Sequence, residues 1–215
     1  FNNPVALDRM GDLYANGQGV IQDKSRAIEY YESFLKFDYL GKFNNFNSGR
    51  LSQVRQHAEG LYSKYRAETF FKLGGIYFND DGKYFNVQKA IDCFISSAEL
   101  NNYKAQYILG EIYMNGHFGE IDYNEAKKFF EHSAQQNNSL AIFQLGNIYF
   151  RGLGVGNNYK ENYQNALSYY ISASKLGCSD AYIILGNLYL YGIIVEQNQE
   201  VGINYLRLAE KQGNP

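Results

Sequence analysis

The chain has 215 residues, of which 45% are hydrophobic, so it can bury a full core, and its composition excludes intrinsic disorder. Its 20 lysine and arginine residues nearly balance 22 aspartate and glutamate residues, which argues against nucleic acid or an anionic membrane surface as a partner. No apolar run approaches the ~20 residues of a membrane-spanning helix, so we expect no membrane span.

The first predicted element is a pair of helices near the N-terminus. MGDLY at 10–14 places Gly11 inside an apolar segment, and AIEYY follows from Ala27. Apolar residues recur in both segments at the spacing of one helical face. The same two-part pattern returns four times, with its first glycine at Gly74, Gly110, Gly146 and Gly186 and its second part starting at Ala90, Ala126, Ala166 and, more weakly, Gly202.

An additional segment at 40–66 separates the first copy from the second, whose glycines are 63 residues apart. GKFNNFNSG has the composition of a loop, and the residues after it are patterned as a helix that continues into the first helix of the second copy. Two interpretations stay open. The segment is either an extra helix that fills the gap between copies, which we favour, or a projection for a specific partner.

The later copies follow at intervals of 36, 36 and 40 residues. In the third copy Ala105, Leu109 and Tyr113 fall on one face of a helix. A single helix pair cannot bury its own apolar face, so neighbouring pairs must stack. We therefore predict one domain over 1–215 with the insertion at 40–66 and repeats at about 4–39, 67–102, 103–138, 139–178 and 179–214.

Two glycine positions in each copy need a structural reason. A glycine inside a helix costs about 1 kcal/mol relative to alanine. We therefore predict that the bare backbone of Gly110 and Gly146 admits the rings of Phe130 and Tyr170 from the paired helix. A later glycine is predicted to end the first helix in a left-handed conformation. It lies at 17, 116, 152 and 192, and Asp80 takes its place in the second copy.

These residues resemble the Sel1-like repeat, a relative of the tetratricopeptide repeat. The shared pattern is A-x-x-x-L-G-x-x-Y-x-x-G-x-G-V followed by A-x-x-[YF]-[YF]-x-x-[AS]-[AS], and 105–134 and 141–173 match it nearly position by position. Met10, Thr69 and Gly202 depart from the pattern, which we expect to loosen their repeats. The resemblance implies an all-α fold, a right-handed α/α superhelix or solenoid whose first helices line a concave groove.

Helix phase predicts which side chains reach the groove, because Gly110 and Tyr113 face the paired helix and the opposite side must then carry the groove residues. In related tetratricopeptide repeats an asparagine after the L-G pair holds the backbone of a bound peptide, which makes Asn147 and Asn187 the first candidates. Arg151 suits a carboxylate. An open alternative is that the large apolar candidates pack against the next repeat. The predicted partner-binding residues are Tyr107, Glu111, Met114, Phe143, Asn147, Phe150, Arg151, Ile183, Asn187 and Tyr191.

Signals for catalysis are weak. The three histidines, His57, His117 and His132, lie in different segments, and the two cysteines, Cys93 and Cys178, match no zinc or redox spacing. We therefore expect no enzymatic activity, no metal site and no cofactor. Because the chain starts with phenylalanine rather than methionine, we also expect it to be a fragment or a processed form.

Two classes of function remain. The first, implied by the resemblance, is a monomeric, non-catalytic scaffold or adaptor that binds a peptide or protein partner in the groove. A bacterial exported or virulence-associated effector, secreted or acting in the host-cell cytosol, is one case of it. The alternative is a glycan-binding or cell-wall (peptidoglycan) protein, because a groove rich in the chain's 21 tyrosines and 15 phenylalanines can stack on sugar rings.

Overall fold

The computed structural model of the protein describes residues 3–37, 49–79, 82–117 and 119–213. Within these ranges the chain forms ten α-helices and no strand, which confirms the predicted all-α class. The helices are α1 (Pro4–Asn16), α2 (Lys24–Leu35), α3 (Gly49–Asn79), α4 (Val87–Glu99), α5 (Tyr103–Asn115), α6 (Tyr123–Ala134), α7 (Ser139–Arg151), α8 (Tyr159–Lys175), α9 (Ser179–Tyr191) and α10 (Gln199–Lys211).

Short polar side chains and glycines define the helix ends. At the start of most helices an asparagine or aspartate side chain accepts a backbone N–H bond, as expected for N-caps. These caps are Asn3, Asp23, Asn86, Asp122, Asn138, Asn158 and Asn198. The predicted left-handed glycines are confirmed, with φ of 69°, 62°, 68° and 67° at Gly17, Gly116, Gly152 and Gly192. Asp80 lies outside the described residues.

The glycine inside each first helix lies against a side chain of the paired helix. A Cβ built on Gly110 would lie 2.5 Å from Cε1 of Phe130, and one on Gly146 would lie 2.6 Å from Cε1 of Tyr170. Because Cβ atoms do not approach other atoms so closely, the rings occupy space that a side chain would need. The predicted packing of rings on bare backbone is therefore confirmed.

In the fifth repeat, two glycines allow the paired helices to approach each other closely. Gly186 of α9 packs against Leu206 of α10, and Gly202 of α10 lies against the backbone of α9. A Cβ on Gly202 would lie 2.9 Å from the carbonyl oxygen of Gly186 and 3.0 Å from the backbone nitrogen of Leu190. Gly202 thus allows two helix backbones to meet, which corrects the expectation that this departure loosens the repeat.

A stacked pair of rings joins the two helices in four of the repeats. The ring centroids are 5.6, 5.6, 5.4 and 6.0 Å apart, with interplanar angles of 20° or less. Such pairs add about 0.5–1.5 kcal/mol beyond their buried area. In the second repeat, Cys93 stands where the other copies have the second ring. The stacked pairs are Tyr14 with Tyr30, Tyr113 with Phe129, Tyr149 with Tyr169, and Tyr189 with Tyr205.

The chain divides into two compact units, Phe1–Ala105 and Gln106–Pro215. In the first unit α1 packs on α2 and α3 packs on α4, while α2 also contacts α3. In the second unit α7 packs on α8 and α9 packs on α10, and these two pairs stack through contacts of α8 with α9, while α6 contacts α7. Each unit is therefore a stack of helix pairs. The single domain and the repeat boundaries stay predictions.

Helix α3 runs without a break from Gly49 to Asn79, so the insertion continues into the first helix of the second repeat, as predicted. Tyr62, from the added stretch, packs edge-on against Phe34 of α2 with ring centroids 5.5 Å apart. Its hydroxyl donates to the carbonyl oxygen of Phe37 at 2.6 Å. These contacts favour the gap-filling interpretation. Of the predicted loop GKFNNFNSG, residues 41–48 lie outside the described residues, and Gly49 begins α3.

Among the helices of the described ranges, none is both long and apolar enough to cross a lipid bilayer.

Candidate functional site

The residue directly after the L-G pair has a recurring place on each first helix. It is polar in four copies and glycine in the second. The side chain of the paired second helix differs between copies, and at Asp12 and Glu111 a side chain from the first helix of the next repeat also makes contact. The five residues are Asp12, Gly75, Glu111, Asn147 and Asn187.

Asn147 uses both ends of its side-chain amide within the chain. The Tyr170 hydroxyl donates to its Oδ1 at 2.9 Å, and its Nδ2 donates to Oε1 of Gln144 at 2.8 Å. Gln144 Nε2 in turn donates to Oε1 of Glu111 at 2.8 Å. A continuous hydrogen-bond chain therefore runs from α8 through α7 to α5.

Asn187 has the same place on α9 but different surroundings. Leu206 stands where Tyr170 stands in the fourth repeat and carries no hydroxyl group. The Asn187 side chain is partly buried and has no hydrogen-bond partner in the part of the chain that the structure describes. The two asparagines singled out from the sequence thus differ, since one is occupied and the other is free.

Glu111 is a half-buried carboxylate with neutral donors. Burial raises its pKa, and the Gln144 amide, the charge of His117 and the Tyr107 hydroxyl oppose that shift. The paired second helix offers Phe130 rather than a tyrosine, so no hydroxyl reaches Glu111 from α6. Within the described ranges, no lysine or arginine forms an ion pair or hydrogen bond with Glu111.

In the first unit, Asp12 occupies the same place and has two partners. The Tyr31 hydroxyl donates to Asp12 Oδ1 at 2.8 Å, and Lys72 Nζ lies 2.7 Å from that oxygen. Lys72 also pairs with the buried Asp8 at 3.1 Å, and Thr69 donates to Asp8 at 2.6 Å. Burial and the bond to Asp12 raise the pKa of Tyr31. Thr69 thus ties α3 to α1, which corrects the expectation that it loosens its repeat.

This paired cluster borders an open cavity of about 340 Å³ lined by residues of α1, α2 and α3. Gly75 contributes no side chain to it, and a Cβ there would meet no atom within 4 Å. The sequence interpretation did not identify Asp8 or Lys72 as parts of this cluster. The available signal was position, because Lys72 directly precedes the L-G pair of its repeat, as Gln144 does.

Several predicted groove residues take part in packing between helices. Tyr107 and Met114 pack against the core cluster of α6 and α7. The rings of Phe143 and Phe150 have centroids 5.7 and 6.4 Å from that of Tyr170. Phe143 and Phe150 also pack against the cluster that includes Leu185 and Leu188 of α9, which supports the alternative that they pack against the next repeat.

The other predicted residues are more accessible or less engaged. Tyr191 is 71% exposed at the end of α9, and Ile183 is partly buried on the same helix. Arg151 is exposed at the end of α7, where its charge opposes the rise in the pKa of Tyr170 that burial causes. In the described ranges, the polar groups without a hydrogen-bond or ion-pair partner include those of Arg151, Asn187 and Tyr191.

The two thiols are not activated. Burial raises the pKa of Cys93 to about 11 and also raises the pKa of Cys178, so both stay protonated at neutral pH. In the described part of the chain, no three His, Cys, Asp or Glu side chains are grouped so that they could hold a metal ion.

The repeated helix pairs of this chain are similar to those of a known family and of solved structures. The family model described as Sel1 repeat matches residues 4–34, 71–102, 104–138, 139–178 and 179–214. The crystal structure of a Sel1 repeat protein from Oxalobacter formigenes is 25% identical with a TM-score of 0.75, and the match covers 99% of this chain and 74% of that chain.

Two further structures share the fold at lower identity. The immunity protein Pa5087 from Pseudomonas aeruginosa is 19% identical with a TM-score of 0.53, over 97% of this chain and 68% of that chain. The immunity protein PA5088 from the same organism is 16% identical with a TM-score of 0.51, over 98% and 81%. No curated protein matches the chain significantly.

The family match and the observed packing agree. Each of the five matched segments contains one of the helix glycines that lie against a side chain of the paired helix. Proteins built from Sel1 repeats are generally non-catalytic scaffolds for protein interaction. The chain therefore belongs to the Sel1 repeat family.

Proposed function

We propose that this chain is a non-catalytic scaffold or adaptor that binds a peptide, or an extended segment of a partner protein, on the first helices of its second unit. The general role of Sel1 repeats in protein interaction supports this proposal. The proposed surface, called the first-helix face, comprises Tyr107, Glu111, Met114, Phe143, Asn147, Phe150, Arg151, Ile183, Asn187 and Tyr191.

The carrying observation is that this face holds polar groups that the described residues do not use. The Asn187 amide can both donate to and accept from a peptide backbone, and the Arg151 guanidinium can bind a carboxylate in bidentate fashion. Tyr191, at 71% exposure, adds an aromatic side chain that a partner can cover. This mixture of free polar groups and aromatic surface suits a peptide.

Asn147 takes a different role in this proposal. Both ends of its amide already bond to Tyr170 and Gln144, so a ligand would have to break one of those bonds. We therefore assign Asn147 to holding the face in shape and Asn187 to contacting the partner.

Selection from a random-peptide library on the purified chain, followed by calorimetry with the selected peptides, tests the proposal. We expect Asn187→Ala and Arg151→Ala each to weaken binding by about tenfold, because each removes one or more hydrogen bonds, charge-assisted for Arg151. Gln164→Ala, at an exposed position of the second helix α8, is the matched control and should leave affinity unchanged. Selected peptides whose affinity survives both substitutions would contradict the proposal.

A glycan array that includes peptidoglycan fragments tests the alternative function. Binding to a glycan that depends on the aromatic residue Tyr191, together with no selected peptide, would support the glycan-binding function and overturn the peptide proposal.

A further inference from the structure

We propose that Glu111 binds a basic side chain, lysine or arginine, of the partner. The inference rests on the proposed function, because it names the chemistry of one contact on the first-helix face. It is carried by a comparison between equivalent places in the two units of this chain.

The first unit contains a complete version of the site. Lys72 Nζ lies 2.7 Å from Asp12 Oδ1, and the two side chains are 24% and 23% exposed. The same ammonium lies 5.6 Å from the centroid of the Tyr31 ring. The carboxylate after the L-G pair is therefore neutralised by a cation that comes from the position directly before the next L-G pair and lies near an aromatic ring.

In the second unit the carboxylate after the L-G pair is again contacted from the position before the next L-G pair, but by a neutral side chain. Gln144 holds the place of Lys72, and its Nε2 reaches Glu111 Oε1 at 2.8 Å, nearly the distance of the ion pair in the first unit. Glutamine carries no charge, so its hydrogen bond orients the carboxylate without neutralising it. Phe130, in the place of tyrosine, also removes the hydroxyl that Asp12 receives.

The groups that hydrogen-bond to Glu111 are neutral. From its own helix comes the neutral Tyr107 hydroxyl, and from α7 the neutral Gln144 amide. Asp180, at the start of α9, adds negative charge near Tyr107. The charge of His117, which is exposed in the turn after α5, opposes the rise in the pKa of Glu111, but burial outweighs it.

A half-buried carboxylate without a counter-charge is unfavourable, and a basic side chain from outside would correct this. A carboxylate offers about four lone-pair positions, so the Gln144 bond leaves room for a charge-assisted bond from an ammonium or guanidinium group. Burial is the main cause of the raised pKa of Glu111, and the charge of His117 does not offset it. The Tyr107 ring lies near this carboxylate, as Tyr31 lies near Lys72.

Capped peptide pools, each with one position fixed as lysine, arginine, glutamine or glutamate, test the proposal by fluorescence polarisation on the purified chain. We expect a lysine or arginine pool to bind about tenfold more tightly than the glutamine pool at one position, because the contact is a charge-assisted hydrogen bond. Glu111→Gln should abolish this preference while the glutamine pool still binds.

A second variant builds the first unit's ion pair into the second unit. Gln144→Lys supplies an internal cation for Glu111, so we expect it too to abolish the preference for basic residues. Gln164→Lys, exposed on α8, adds the same charge elsewhere and should keep the preference. Thermal unfolding accompanies each measurement, and if Gln144→Lys lowers the Tm, Glu111→Gln decides alone.

The outcomes separate the two proposals. Pools that bind without favouring lysine or arginine, or a preference that survives Glu111→Gln, would overturn the role of Glu111 and leave the proposed function intact. If Gln164→Lys abolished the preference for basic residues as Gln144→Lys does, the preference would come from net charge, and the specific contact with Glu111 would be overturned. No binding to any pool would overturn the proposed function and this inference with it.

Discussion

At the residue scale, two adjacent glycines in α3 show that packing rather than residue type decides the effect of a side chain. A Cβ on Gly74 would lie 2.8 Å from Cε1 of Phe94 and 3.2 Å from Cβ of Cys93, whereas one on Gly75 would meet no atom within 4 Å. Phe94 is 2% exposed, so its ring has little room to move. The two positions therefore form a matched pair within one helix.

We expect Gly74→Ala and Gly75→Ala to change stability in opposite directions. Overpacking at Gly74 costs about 1–3 kcal/mol, partly offset by the better helix propensity of alanine. Gly75→Ala should gain up to about 1 kcal/mol, because only the propensity changes. Urea unfolding of the two variants measures the difference. A stabilised Gly74→Ala would mean that the ring of Phe94 does not lie against this backbone.

The stability of the protein should depend on pH through Glu111. Its pKa is raised in the folded chain, so between the unfolded and the folded pKa the folded chain binds more protons. The free energy of unfolding therefore falls as pH rises through that interval. Glu111→Gln does not titrate, so it should be more stable than the wild type at neutral pH, and this advantage should shrink as pH falls through the interval.

Thermal unfolding at a series of pH values measures this effect. Glu210→Gln, at an exposed position of α10, is the control and should follow the wild type. If Glu111→Gln were instead less stable than the wild type at neutral pH, the ionised carboxylate would be favoured by the fold.

The residue contacts differ in how far they could be predicted. Packing of rings on Gly110 and Gly146 was predictable because an unfavourable residue recurs at one phase of the repeat, and such recurrence has a common steric cause. The hydrogen bonds were not, because Gln144 and Glu111 are 33 residues apart and their contact depends on side-chain identity at positions that vary between copies. The partner-binding role of Asn147 and Asn187 stays a prediction. Asn147 has two hydrogen-bond partners within the chain, whereas Asn187 has none in the described ranges.

At the element scale, the pairing of α9 with α10 depends on backbone contact. In the other repeats a ring fills the space above the glycine, and a ring can shift slightly. In the fifth repeat a Cβ on Gly202 would meet the Gly186 carbonyl oxygen at 2.9 Å, and a backbone atom cannot rotate away. Continuity of α3 was predictable from its helical pattern, whereas this glycine-to-glycine contact was not, since Gly202 stands where the repeat has alanine.

We expect Gly202→Ala to separate α10 from α9 despite its better helix propensity. The clash should cost about 1–3 kcal/mol or more, because relief requires moving a whole helix. Hydrogen exchange read by mass spectrometry should show faster exchange in peptides from α10. Asn204→Ala, at an exposed position of the same helix, should leave α10 protected. Unchanged exchange in Gly202→Ala would contradict the close backbone contact.

At the scale of the whole molecule, the two units use the same repeat position in different ways. In the first unit the carboxylate after the L-G pair is satisfied by the chain's own lysine and tyrosine. In the second unit Glu111 bonds to a neutral amide, Asn147 bonds to an amide and a tyrosine hydroxyl, and Asn187 has no partner in the described ranges. Polar groups that already bond within the chain add little free energy to ligand binding, whereas polar groups without a partner add more. We therefore expect partner binding to reside in the second unit.

In the first unit a single lysine neutralises two carboxylates, so its removal should destabilise that unit. Lys72 neutralises Asp12 and Asp8, and the Asp8 side chain is 5% exposed. Lys72→Met would keep most of the length of the side chain but leave two carboxylates without a cation, which costs about 3 kcal/mol for a buried pair. Because stability in repeat proteins comes mainly from adjacent repeats, this loss should stay in the first unit.

Hydrogen exchange on the full chain can resolve the two units in this variant. Lys72→Met should speed exchange in peptides from α1 to α4 and leave those from α7 to α10 at wild-type rates. Lys64→Met, at an exposed position of the same helix α3, removes an equal charge and should change neither. Equal acceleration in both units would mean that they unfold as one cooperative body, and a lack of acceleration in either would mean that Lys72 is not needed to neutralise the buried Asp8.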